Sequence, residues 1–170
     1  MHPNCDTVNA ILRAAGVPGR VRMLDEAVTT AQAAAQYLGC PVGAIANSLI
    51  FETLMIASVG GREQQPEETE AGTPLLIMTS GAHRVDMTTV GEQLGMQLRR
   101  ASPAFVREHT GQPIGGVAPV GHPKPIRTIV DRALAEFDEL WAAGGIPHAV
   151  FPMTYPELLM LTDGAEVDVG

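Results

Sequence analysis

A glycine- and proline-rich stretch in the second half of the chain constrains the fold more than any other feature. Eight of the fifteen residues at 111–125 are Gly or Pro, and segments with apolar periodicity flank them. Proline fixes φ and removes an amide donor, whereas glycine permits positive φ and a close approach of the backbone to a ligand. The stretch therefore cannot be a helix. It predicts a rigid loop that either presents backbone groups to a ligand or only connects two elements.

Length and composition predict one ordinary globular domain spanning residues 1–170. Hydrophobic residues make up 45% of the chain and charged residues 18%, a balance that can build a core of normal size. The sequence has no apolar run of the ~20 residues that a membrane helix needs. Residues 1–6 have neither the basic nor the apolar region of a secretory signal. We therefore expect a cytoplasmic protein with no membrane contact.

Metal, redox and covalent chemistry lack a sequence signature. Cys5 and Cys40 are far apart, and the five histidines are scattered without a paired carboxylate motif. The sequence also lacks a Gly-x-Ser-x-Gly elbow and a convincing Ser/His/Asp set for a covalent nucleophile. We expect no metal and no cofactor, so an enzyme with this sequence must work by positioning its substrate.

The charge distribution is uneven. The net charge is −8, yet residues 84–132 hold seven basic and four acidic side chains, a net charge of +3. Such a segment is either a solvated surface or a patch that faces phosphates. If it meets a nucleic acid, the candidate contacts are Lys124, which is the sole lysine, and Arg99, Arg100 and Arg127.

The pattern of apolar residues and of helix-capping residues predicts helices, strands and two further segments. The predicted helices are 7–15, 30–38, 86–94, 102–109 and 155–161. The predicted strands are 49–59, 74–79, 127–130, 148–151 and 167–169, with an amphipathic segment at 133–141 and an exposed acidic hairpin at 60–73. Scattered strands between helices favour an α+β fold with a mixed sheet.

Four ordered blocks carry a resemblance to a known family. They are IANSLIF at 45–51, TSGAHRVD at 79–86, GGVAPVGH at 115–122 and WAAGGIPHAV at 141–150. Together they resemble the YbaK/EbsC family of aminoacyl-tRNA editing domains, also known as prolyl-tRNA synthetase-associated domains, from about residue 30 to the C-terminus. The resemblance implies a mixed, barrel-like β-sheet packed with helices. It also implies hydrolysis of the ester that joins a wrong small amino acid to the 3′-terminal ribose of a tRNA.

The resemblance also implies a set of site residues. The Gly-x-x-x-Pro loop would offer backbone groups to the ester carbonyl, with the amides of Gly116 to Ala118 as oxyanion donors. A ribose hydroxyl of the substrate or a bound water would do the proton work, and His148 is either a proton shuttle or a satisfied histidine. The candidate catalytic set is Gly115, Gly116, Val117, Ala118, Pro119, Asn47 and His148. The candidate substrate-binding set is Phe51, Met78, Ser80, Gly81, His83, Gly121 and His122, although core packing also explains the apolar members.

Asn47 is a departure from the family pattern. Many members carry Lys at this step into the strand, and an asparagine amide can hydrogen-bond but cannot supply a charge. The departure leaves two main hypotheses, a trans-editing deacylase and a non-catalytic module that binds an aminoacyl-tRNA end, an amino acid or a nucleotide. An interaction protein that keeps the fold without its ligand is a third.

Overall fold

The computed structural model describes residues 1–55, 58–59, 62–63 and 72–169. Its helices are α1 (Pro3–Ala14), α2 (Ala31–Leu38), α3 (Met87–Leu94), α4 (Pro103–Thr110) and α5 (Tyr155–Thr162). Its strands are β1 (Arg22–Met23), β2 (Ala46–Met55), β3 (Ser58–Val59), β4 (Arg62–Glu63), β5 (Thr73–Ser80), β6 (Met96–Arg100), β7 (Arg127–Asp131), β8 (Leu140–Ala143), β9 (Ala149–Met153) and β10 (Ala165–Val167). Most of the predicted hairpin at 60–73 lies outside the described residues.

The strands form a mixed sheet, a smaller antiparallel sheet and the two-stranded antiparallel pair of β3 and β4. The five-stranded sheet has the order β10-β7-β5-β2-β6, in which β7 runs parallel to its two neighbours and β2 antiparallel to its own. The three-stranded sheet has the order β1-β9-β8. The predicted α+β class with a mixed sheet is confirmed. In the described ranges the sheets stay open rather than closing into a barrel, and a parallel bridge from Ile45 to Trp141 joins them.

Side-chain caps fix the helix starts that the sequence predicts. The Thr30 hydroxyl accepts the amide of Ala33 at the start of α2, and Gly39 ends that helix at φ 69°. Ser102 caps α4 in the same way, and Asp86 caps α3. Each cap satisfies an amide that the first turn of a helix leaves unpaired. The predicted bounds of these helices are therefore confirmed to within a residue or two.

Three strands were not predicted. β1 and β6 carry exposed basic side chains, and β8 ends in two alanines, so none of them has the β-branched composition that marks a strand. The predicted amphipathic segment at 133–141 comprises most of a 3-10 turn at Arg132–Glu136 and the start of β8, with Leu134 and Leu140 buried. These strands are set by pairing with distant segments.

The larger sheet is buried on both faces. One face packs on α1, α5 and the smaller sheet through a cluster that includes Leu12, Met78 and Phe151. The other face packs on α3 through a cluster that includes Ile77 and Val90. β2 and β5 are therefore held rigidly, and the groups at their ends have fixed positions. None of the described helices has the length and apolar character needed to cross a bilayer.

Candidate functional site

A large cavity opens along one edge of β2. β5 covers the other edge from Ala46 to Thr53, but β6 pairs with β2 only at 51–55. In the described part of the chain, the edge at 46–50 therefore faces the cavity rather than a further strand. The cavity has a volume of about 790 Å³, within the range of roughly 300–1,000 Å³ that is typical of small-molecule sites. It has room for a nucleoside as well as an amino acid.

The two sides of the cavity differ in polarity because β2 alternates its side chains between the faces of the sheet. Ala46 and Ile50 belong to the same apolar cluster as Val117 and Ala142, and all four line the cavity. Asn47 lies on the opposite face of β2, beside its register partner Thr79, which lines the cavity as well. One side is thus apolar, and the other combines the polar groups of Asn47 and Thr79 with the apolar side chains of Leu49 and Phe51, which share that face of β2.

A buried carboxylate organises the polar side. Asp131 ends β7, and its side chain is 3% exposed. Its Oδ2 accepts the amide of Ser80 at 3.0 Å, the hydroxyl of Thr79 at 3.4 Å and Nδ1 of His83 at 2.9 Å. Its Oδ1 accepts the amide of Ala133 at 3.0 Å. Because a carboxylate only accepts, Nδ1 of His83 is the donor in this contact, and the tautomer that fits it carries a lone pair on Nε2.

Gln112 holds the glycine- and proline-rich loop from inside. Its side chain is buried, its Oε1 accepts the amide of Ala118 at 2.7 Å, and its Nε2 donates to the Val120 carbonyl at 3.2 Å. His122 donates from Nε2 to the Ala118 carbonyl at 2.8 Å, and burial lowers the pKa of its ring. The loop at 111–125 is therefore an ordered structure with its own hydrogen-bond network.

This network changes which amides are available as oxyanion donors. The amide of Gly116 donates to the Pro113 carbonyl at 3.0 Å, and that of Ala118 donates to Gln112. The loop itself therefore uses two of the three amides that were expected to act as oxyanion donors. The amides of Gly115 and Val117 donate to no protein group among the described residues, and both residues line the cavity.

Gly116 has a packing role. A Cβ on this residue would lie 2.5 Å from the carbonyl carbon of Ile146, in the loop that follows β8. Such a distance is far below van der Waals contact, so only glycine lets the two loops approach. Gly115, in contrast, lies in the left-handed region at φ 88° and shapes the turn.

The structure brings only some of the predicted site residues to the cavity. Those that line it are Asn47, Phe51, His83, Gly115, Val117 and Arg100. The others lie outside its lining: Gly116, Ala118, Pro119, His148, Met78, Ser80, Gly81, Gly121, His122, Lys124, Arg99 and Arg127.

Core packing and local hydrogen bonds explain the displaced residues. Met78 is fully buried in the core, and the Ser80 hydroxyl donates to the Gly43 carbonyl at 2.8 Å. A Cβ on Gly81 would lie 2.4 Å from the Val42 carbonyl oxygen, so this glycine serves a close backbone contact. Gly121 forms a left-handed turn at φ 90° beside Gln112. His148 is exposed to solvent.

The two neighbouring arginines of β6 differ in their surroundings. Arg99 forms a two-pronged pair with Glu52, with N to O distances of 2.8 and 2.6 Å, and this contact lowers the pKa of the Glu52 carboxyl. Arg100 lies on the opposite face of the strand and lines the cavity together with Arg84. Lys124 and Arg127 are exposed elsewhere. Among the described residues, Arg84 and Arg100 are thus the cationic groups that line the cavity.

Sequence reasoning missed three contributors: Asp131, Thr79 and Gln112. The clearest signal was Asp131, an acidic residue that directly follows the apolar strand residues Ile129 and Val130. A carboxylate at the end of a buried strand is costly unless it has partners. Gln112 had a weaker signal, as a polar residue inside the loop that it turns out to hold.

The model of the aminoacyl-tRNA editing domain family matches residues 25–161, which include both sides of the cavity and the loop. The chain belongs to this family. The resemblance noted in the sequence is thereby confirmed.

Three similar proteins were found, one of them by structure and two by sequence. The crystal structure of a candidate trans-editing enzyme for prolyl tRNA synthetase has a TM-score of 0.83 and 36% identity, covering 99% of this chain and 98% of that one. YwhH of Bacillus subtilis (strain 168), an uncharacterised protein, is 28% identical over 76% of this chain and 72% of its own length. A proline–tRNA ligase of Delftia acidovorans (strain DSM 14801 / SPH-1) is 25% identical over 78% of this chain, but the match spans only 22% of the ligase.

Proposed function

We propose that this chain is a trans-editing deacylase that hydrolyses the ester between a small amino acid and the 3′-terminal ribose of a mischarged tRNA. Its membership of the editing family supports this function, as does its similarity over nearly the full length of a candidate trans-editing enzyme. The observation that carries the proposal is the cavity beside β2, which joins an apolar side to a polar side within one space.

The apolar side suits a small amino-acid side chain. Its wall includes Ala46, Val117, Ala142 and Val150, whose own side chains are short. An apolar wall separates ligands that differ by one methylene by only about 1–3 kcal/mol. The cavity therefore favours a class of small side chains, for which alanine, serine, cysteine, proline and threonine are the candidates.

Polar groups at the cavity suit the ester and the ribose. The backbone amides of Gly115 and Val117, in the loop beside the apolar wall, are available to the carbonyl oxygen, where a single donor typically contributes about 10²–10³ in rate. Asn47 offers a neutral amide to a ribose hydroxyl. Ser48 is a poor nucleophile because its hydroxyl contacts Sδ of Met78 at 3.3 Å, and no base among the described residues hydrogen-bonds to it. Water is therefore the attacking group in this proposal.

A second candidate function is a binding module without turnover. Asn47 favours it, because the resemblance places a lysine at this position in many relatives. In that case the cavity would retain an aminoacyl-tRNA end without cleaving its ester.

A panel of charged tRNAs tests the proposal. tRNAs carrying alanine, serine, cysteine, proline or threonine are incubated with the protein, and the loss of the ester is followed against buffer. We expect faster loss of at least one ester. Binding without ester loss would support the binding module instead. If the protein neither binds the tRNAs nor hydrolyses their esters, both functions are excluded.

A matched pair of variants tests the location of the site. Ala142→Leu fills the apolar side of the cavity and is expected to lower kcat/KM for the preferred ester. Ala104→Leu makes the same change on the exposed surface of α4 and serves as the control. Equal activity of both variants would place the reaction elsewhere.

A further inference from the structure

His83 and Asp131 are arranged for acid–base chemistry that the loop alone cannot supply. We propose that His83 is a general base of the editing cavity, with Asp131 as the residue that positions its ring. This inference rests on the proposed deacylase function and adds the group that activates the water.

Asp131 holds His83 as a fixed partner. The carboxylate receives two backbone amides and the Thr79 hydroxyl in addition to Nδ1 of His83, at 2.9 to 3.4 Å from the acceptor oxygens. It is therefore anchored by β5 and by the turn after β7, and it cannot follow a moving ring. An anchored carboxylate on Nδ1 fixes the tautomer in which Nε2 accepts a proton, and it stabilises the imidazolium that then forms.

His83 is the histidine that meets the cavity in the described part of the chain. Its side chain is 48% exposed, and no described group hydrogen-bonds to its Nε2. His122 is occupied by the Ala118 carbonyl, and His109 stacks on Phe105. His148 lies outside the cavity lining. Exposure on one nitrogen and a buried acceptor on the other are the two requirements of a general base that exchanges protons with water.

The reaction step balances without an added co-reactant. Nε2 of His83 takes a proton from a water molecule as the water oxygen bonds to the ester carbonyl carbon. The tetrahedral intermediate then breaks its bond to the ribose oxygen, and the imidazolium returns the proton to that oxygen. The products are the free amino acid and a tRNA with an intact 3′-terminal ribose.

Several charged groups surround the ring of His83. Asp131 contacts it, and Arg84 and Arg100 line the same cavity. Arg132, Glu136 and Asp168 line a smaller cavity of about 260 Å³ on its other side. Because these groups also influence the pH dependence of the reaction, that dependence is compared between the wild-type protein and single-residue variants.

The test is the deacylation rate of His83→Gln on the best ester of the panel. We expect kcat to fall by about 10²–10⁴, the usual contribution of general acid–base catalysis. The loss of rate towards acidic pH should disappear in the variant, and imidazole should restore part of the activity of His83→Gly. His109→Gln is the matched control outside the cavity. Because His83 is exposed, both His83→Gln and His83→Gly should fold. The midpoint of urea unfolding checks this.

Asp131→Asn gives a separate readout of positioning. If this variant keeps the wild-type urea midpoint, the acidic side of its plot of deacylation rate against pH should shift, because the His83 ring has lost its anionic partner. A contact with a merely structural role would not cause such a shift.

Three outcomes overturn the inference. A wild-type rate in His83→Gln would exclude His83 as the general base while leaving the proposed deacylase function intact. Retained activity in that variant, combined with loss of activity on tRNA ending in 2′-deoxyadenosine, would assign the proton transfer to the ribose hydroxyl of the substrate. Absence of ester loss with the wild-type protein would reject the proposed function and this inference together.

Discussion

Gln112 and Ala118 are joined by a hydrogen bond of 2.7 Å from the Ala118 amide to Oε1 of Gln112, and both residues are buried. The same side chain also donates to the Val120 carbonyl. One glutamine thus holds together a loop in which many residues lack either a side chain or an amide donor. The position of Gly115 and Val117 at the cavity depends on this contact.

We expect Gln112→Leu to destabilise the protein and to slow deacylation. The substitution leaves the Ala118 amide and the Val120 carbonyl buried without a partner, and each such group costs about 1–3 kcal/mol. Urea unfolding measures the loss. A variant with wild-type stability would show that the loop is held mainly by its prolines and glycines.

Gly116→Ala is expected to lower the unfolding midpoint and the activity together. The added methyl group would meet the backbone at Ile146 at 2.5 Å, and forced overpacking typically costs about 1–3 kcal/mol. Thermal unfolding and deacylation are measured on the same preparation. Loss of activity at the wild-type midpoint would instead indicate that substrate approaches this glycine directly.

The burial of His122 predicts a pH-dependent stability. Burial holds the pKa of the folded ring below its usual value, so the unfolded state takes up a proton first as the pH falls. The stabilising contribution is complete above the unfolded pKa of about 6.5, and it is lost as the pH falls below that value towards the folded pKa. We expect the free energy of unfolding to decrease over this window.

His122→Gln should flatten that decrease, because a glutamine can still donate to the Ala118 carbonyl but does not titrate. His109→Gln is the control that leaves the loop intact. An identical pH dependence in wild type and His122→Gln would assign the effect to other groups.

Arg100 and Arg99 should differ in tRNA binding although they are adjacent in the sequence. Arg100 lines the cavity, whereas Arg99 is occupied by Glu52. Removing one phosphate contact reduces the slope of log affinity against log salt by about one. We expect this reduction for Arg100→Ala and a smaller one for Arg99→Ala, measured by titration at several salt concentrations. Equal effects would show that the Arg99–Glu52 pair opens on binding.

The sequence predicted the helices better than the site, for a physical reason. Helix ends depend on local signals such as Thr30 and Gly39, and these act within a few residues. The polar row of the cavity depends on register, because Asn47 meets Thr79 through pairing of β2 with β5, and Asp131 joins them from β7. No local pattern specifies such pairings. The loop at 111–125 was predicted as a loop, but the hydrogen bond that occupies its Ala118 amide depends on a buried glutamine.

Asn47 provides the sharpest test of how this cavity works. It is half-buried on the polar side, and Arg84 and Arg100 line the same cavity. A lysine at this position would add a third cation, and Asp131, the carboxylate bound to the neighbouring Thr79, already accepts four hydrogen bonds. A partly buried charge without a partner is destabilising.

We therefore expect Asn47→Lys to lower both the urea midpoint and the deacylation rate, while Asn47→Gln, which keeps the neutral amide, retains more of each. The alternative is that the natural protein has lost a useful cation, since a charge-assisted contact is roughly twice as strong as a neutral hydrogen bond. In that case Asn47→Lys would deacylate the same tRNA panel faster than wild type. Such a gain would mean that the cavity still accommodates a lysine and that the natural chain is a weakened editor, rather than one rebuilt around a neutral group.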